Sequence, residues 1–100
     1  MLLPIVLRAY GEGAIDKLSL LAKAAGLVDN NTPALQAAEA FIAHIEGMNA
    51  RMQIPAKLDC IRQEDIPQMA KLADKEANPL YPVPVLWNAA ELERIYKQTL

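Results

Sequence analysis

Few side chains in this sequence are of types that do chemistry, and their spacing narrows the reading. His44 is the only histidine and Cys60 the only cysteine. A protein metal site draws on three or four ligands, and these two supply only a pair. His44 falls off the apolar stripe of its helix and reads as a solvated histidine. Cys60 has neither an adjacent base nor a redox partner, so it reads as a buried, inert thiol. Ser19 lies within a helical pattern, without the strand-to-helix elbow that exposes a nucleophilic serine. Gly11-Glu12-Gly13 lacks the preceding strand and third glycine of a phosphate loop. Met48, Met52 and Met69 sit on helix stripes and read as packing residues. The segment around Pro79, Tyr81 and Pro82 has the look of a partner motif. Its apolar neighbours Leu80, Val83, Val85 and Leu86 favour a segment packed on protein. Within this chain the expectation is therefore no catalytic residue, no metal ligand and no cofactor-binding residue.

Composition sets further bounds. The chain has 100 residues, net charge −2 and a 53% apolar fraction. That length fits a single domain, with over ~60% of the unfolded surface removed from water. Acids and bases are interspersed, and no Lys/Arg cluster tracks a phosphate backbone, so nucleic acid is not expected as a partner. One cysteine allows no internal disulfide, which fits a reducing, cytoplasmic location. No apolar run approaches the roughly 20 residues that span a bilayer, so no membrane partner is expected. Residues 1–7 are apolar but lack the basic start and small-residue cleavage site of a signal peptide.

The elements that would position these residues are helices. The longest pattern runs from Thr32 to Gln53. Thr32 suits an N-cap and Pro33 the first helical position. Leu35, Ala38, Ile42, Ile45 and Met52 form its stripe, widened by Phe41 and Met48. Ile54-Pro55 ends it, because a residue before proline leaves the α region. A first helix covers Met1–Ala9, apolar nearly all round. A second runs from Gly13 to Ala25, with Ile15, Leu18, Leu21, Ala22 and Ala25 inward and Gly26 closing it. A fourth spans Gln63–Glu76, with Glu64 and Asp65 at its positive end and Pro67 in its first turn. Pro79, Pro82 and Pro84 keep residues 78–86 extended. A last helix starts at Asn88, with Glu91 placed for a capping box and Trp87 and Leu92 at staple spacing. No segment alternates as a strand does. The pattern predicts an all-α, five-helix bundle with antiparallel neighbours.

Several stretches, in order, resemble the C-terminal helical region of the iron-containing (group III) alcohol dehydrogenases. They are MLLPIVLRAY, KLSLLAKAAGL, AAEAFIAHIEGMNARMQIPAKLDCI, RQEDIPQMAKLA and ANPLYPVPVLWNAAELERIY. Together they cover essentially the whole chain. The resemblance implies the helical half of a two-domain enzyme that moves a hydride between NAD(P) and an alcohol or carbonyl compound. In that family a divalent metal, iron or zinc, polarises the substrate oxygen. The metal ligands and the Gly-rich nucleotide segment of such an enzyme lie upstream of Leu2-Leu3-Pro4. His44 matches none of the ligand positions and inherits no role. Many members carry histidine after Leu-Leu-Pro, where this chain has Ile5. The Asn-Pro loop is shorter here than in members with an insertion before it. By the resemblance, Asn78, Pro79 and Tyr81 would border the substrate pocket.

Three expectations follow from residues and resemblance together. The chain alone is catalytically silent, and its partner is the upstream nucleotide-binding and metal-binding part of a parent enzyme. The rival is a free-standing helical interaction module, which a complete, capped first helix would have supported. Finally, apolar surface on residues 1–7 and 78–86 favours a weak homodimer.

Overall fold

The computed structural model describes residues 2–78 and 82–100. Among these residues five α-helices carry the regular structure: α1 Leu2–Tyr10, α2 Ile15–Ala24, α3 Ala34–Arg51, α4 Ile66–Ala77 and α5 Ala89–Lys97. Short 3-10 turns at Gly11–Gly13 and Gln63–Asp65 lead into α2 and α4. No strand occurs among the described residues. The all-α expectation holds, with the helix count the sequence pattern predicts.

Local chemistry accounts for most boundaries. At the end of α2, Gly26 takes φ 75°. Its N–H donates to Lys23 O at 3.1 Å, and the Leu27 N–H donates to Ala22 O at 3.0 Å. This pair of bonds is a Schellman closure, which places its central residue in the left-handed region. The same closure ends α3, with Gln53 in the glycine position at φ 61°. There the Gln53 N–H reaches Ala50 O at 3.1 Å and the Ile54 N–H reaches Asn49 O at 2.8 Å. At the start of α5 the Asn88 side chain accepts the Glu91 N–H at 2.9 Å, as the capping pattern predicts.

The start of α3 differs from expectation. Pro33, not Thr32, is the N-cap residue, and the helix runs two residues shorter at each end than Thr32–Gln53. The Thr32 hydroxyl donates instead to Asp29 Oδ1 at 3.0 Å. That carboxylate also accepts the Asn31 N–H at 3.0 Å. Turned toward a carboxylate three residues back, the hydroxyl caps no N–H of α3.

Helices α2 and α3 pack side by side over a small apolar cluster of Ala14, Leu18, Ala38 and Ile42. Leu7, Tyr10, Ile15 and Phe41 pack against its rim. Helix α1 is tied to α3 from outside, where the Arg8 guanidinium binds Glu39 at 2.6 Å and also Glu46. Helices α4 and α5 form a second pair, with Ile66, Ala70 and Ile95 buried. Thr99, just past α5, is buried too. It donates its hydroxyl to Tyr96 O at 2.6 Å, and its carbonyl accepts the Leu58 N–H at 2.6 Å. The two pairs meet where Tyr10 and Trp87 stack, with ring centroids 4.7 Å apart and planes 11° from parallel.

The chain is flat. Its extents are 45 × 33 × 17 Å and its radius of gyration is 15.0 Å. A compact chain of this length has a radius near 13 Å, and two stacked helices are about 20 Å thick. It exposes 6812 Å², where a compact monomer of 11.0 kDa exposes about 5,600 Å². The difference shows in side chains expected inside. Leu21, Leu35, Met48 and Met52 are exposed, Leu35 to 68%.

Candidate functional site

The residues singled out for chemistry do not converge. His44 is exposed on α3, Ser19 is buried in α2, and Glu12 is exposed in the 3-10 turn. Cys60 is exposed in the connector between α3 and α4, which corrects the expectation of a buried thiol. That connector is fastened to the end of α5 through Leu58 and through Lys57, whose ammonium donates to Gln98 O at 2.7 Å. Leu58 turns partly inward and Cys60 stays outside. Among the described residues, no three His, Cys, Asp or Glu side chains are grouped to hold a metal ion.

Of the three residues placed by resemblance at a substrate pocket, Asn78 is described and half-buried. Pro79 and Tyr81 lie outside the described residues. The Asn78 amide nitrogen donates to Asp74 Oδ1 at 2.6 Å and to Trp87 O at 2.9 Å. These bonds join the end of α4 to the residue just before α5. Both amide hydrogens of Asn78 are thereby used inside the chain.

Pro84 and Val85, just before α5, lie close against another part of the chain. A Cβ built on Gly13 would stand 2.7 Å from Val85 Cγ2 and 3.4 Å from Pro84 O. Pro84 and Val85 therefore rest on the Gly11–Gly13 turn so closely that a side chain on Gly13 would have to displace the Val85 methyl. This contact bears on the reading of the apolar loop as a segment packed on protein: Val85 packs against its own chain, while Leu86 is exposed.

Two clefts remain. The larger, about 310 Å³, lies between the start of α1, the last turns of α3 and the connector. Pro4, Ile5, Ala50, Ile54 and Pro55 give it apolar walls, and Asn49, Glu46 and Lys57 give it polar edges. At this size it sits at the small end of ligand pockets. The smaller, about 180 Å³, opens above Leu18, Ala38 and Ile42, with Leu35, Arg8 and Glu39 also lining it. Its floor is the core cluster itself. Arg8 is held charged, its pKa raised chiefly by the hydrogen bond to Glu39 and next by that to Glu46. Sequence reasoning marked Ile54-Pro55 only as a helix stop. Nothing in the local pattern says that this stop would wall a cleft, because the opposite wall comes from α1.

No helix among the described residues is long and apolar enough to cross a membrane. No protein-family model, curated protein or solved structure matches the chain. The likeness to the iron-containing alcohol dehydrogenases therefore rests on motifs of this sequence alone.

Proposed function

We propose that this chain is the C-terminal helical part of a metal-dependent, NAD(P)-linked alcohol dehydrogenase, and that its work is to pack rather than to catalyse. The observation that supports the reading is surface. The chain leaves 6812 Å² in contact with water, about 1,200 Å² more than a compact monomer of its mass. Exposed leucines, isoleucine and methionines occur on α1, α2, α3 and α4 and in the connector. Such surface suits a domain whose faces are covered by the rest of a larger protein. The ordered run of family-like motifs says which larger protein. Asn78 acts in this reading as a clip that shapes the loop, with Pro79 and Tyr81 beside it at the border of the substrate pocket. Iron or zinc and NAD(P) are held by the upstream part.

The free-standing interaction module draws on the same exposed apolar surface. Sequencing the DNA upstream of codon 1 separates the two. An in-frame extension encoding a Gly-rich strand–turn–helix and closely spaced histidines supports the enzyme reading. A start site without such an extension supports the module. Metal-dependent, NAD(P)-linked turnover of alcohols by the purified 100-residue chain would overturn the assignment of a silent helical part, because hydride transfer needs cofactor and electrophile held together.

A further inference from the structure

The larger cleft joins apolar walls to a fixed positive charge. Ile5, Ala50, Ile54 and Pro55 wall it, and Lys57 and Gln98 stand at its edge. The Lys57 ammonium donates to Gln98 O at 2.7 Å. Gln98 is the C-cap residue of α5, and a helix C-terminus favours a cation. That bond fixes the charge at the rim of the cleft. An ammonium has three N–H donors, so two are left over. Among the described residues, no carboxylate lies within ion-pair distance of Lys57. Asn49, half-buried at the same cleft, has a carboxamide with no hydrogen-bond partner among the described residues. The acid of the cleft, Glu46, is engaged by Arg8.

We propose that this cleft binds a small amphipathic carboxylate, a chain of about eight carbons ending in a carboxylate. Its tail lies among Ile5, Ala50, Ile54 and Pro55, and its carboxylate accepts from the Lys57 ammonium, with the Asn49 amide as a further donor. Charge selects the head group. A positioned ammonium with spare donors and no counter-charge forms charge-assisted bonds with a carboxylate, and these are stronger than bonds to a neutral hydroxyl. Volume selects the tail. The cleft's 310 Å³ is about twice the ~150 Å³ that encloses a benzene ring, room for about twelve heavy atoms. That suits a small molecule rather than a folded partner. A cationic ligand is the rival, because Arg8 carries one charge for the two carboxylates of Glu39 and Glu46. The site is built from this chain alone, so it stands whether or not the alcohol dehydrogenase reading does.

The test titrates the 100-residue chain, isotopically labelled, with octanoate, octanol and octylamine below their micelle-forming concentrations. Backbone amide shifts at Ile5, Ala50, Ile54 and Lys57 should saturate with octanoate. Octanol should bind about tenfold more weakly, and octylamine no better than octanol. Lys57→Gln should bring octanoate to the level of octanol and leave octanol unchanged, while Lys57→Arg should keep the preference. Lys71→Gln, exposed on α4, should alter neither. Ala50→Leu, at an exposed position of the wall, should fill the cleft and weaken octanoate and octanol alike. Circular dichroism checks helix content; if Lys57→Gln loses helix, the octanoate–octanol difference in the unaltered chain and Ala50→Leu decide. Absence of saturable octanoate binding overturns the proposal. So do octanol binding as tightly as octanoate, octylamine binding more tightly, or octanoate binding indifferent to Ala50→Leu.

Discussion

The buried positions of α2 and α3 are small: Ser19, Ala22, Ala37 and Ala38, with Leu18 and Ile42 as the larger members. Those of α4 and α5 are built around Ile66 and Ile95, with Ala70 between them and Thr99 beyond. The first pair gains contact by bringing backbones close. The second gains it by filling space with branched side chains, and it is finished with hydrogen bonds from the connector and the last turn. The two seams should therefore fail in opposite ways. A small-residue seam resists addition, because dense packing leaves nowhere for a new methylene to go. A seam of large side chains resists removal, because a cavity is left behind.

The largest effect should come from emptying the second seam. Ile66→Ala, at a fully buried position, should cost about 2–5 kcal/mol, read as a lowered midpoint in urea or heat. A loss below about 1 kcal/mol would show that α4 and α5 collapse freely around the gap, and the contrast would fall. Next is overfilling the first seam. Ala22, also fully buried, should lose about 1–3 kcal/mol on Ala22→Leu. The same unfolding assay checks it, and a neutral outcome would mean that α2 and α3 have room between them.

The joint between the pairs should respond less. Gly13→Ala pushes a methyl against Val85 and should cost about 1 kcal/mol. Trp87 is the only tryptophan, and it stacks on Tyr10 beside this turn, so its emission should move to longer wavelength as the stack loosens. Unchanged emission and stability would show that Val85 steps aside. The smallest effect has the opposite sign. Gln53→Gly relieves a side chain held at φ 61° and should add about 0.5–1 kcal/mol. Thermal unfolding checks it, and a loss would mean that the Gln53 side chain holds the connector.

The short-range features were legible in the sequence. Asn88, Gly26, Pro67 and Ile54-Pro55 mark helix ends because capping and proline sterics act over one turn. The five helices follow from period and punctuation alone. What the sequence left open was which apolar face finds a neighbour. Leu35, Met48 and Met52 share a stripe with Ile42, yet only Ile42 is buried. Periodicity gives direction around a helix axis, while burial depends on the placement of the next helix: Leu35 borders an open cleft beside Leu18, and Met48 and Met52 lie toward the end of α3, away from the core cluster. Cys60 went the same way: its connector is pinned by Leu58 and Lys57 to the end of α5, a contact between residues some forty positions apart. The chemistry of Asn78 was visible as an amide before a proline. Its bonds to Asp74 and to the Trp87 carbonyl exist only because the fold returns the chain to meet it.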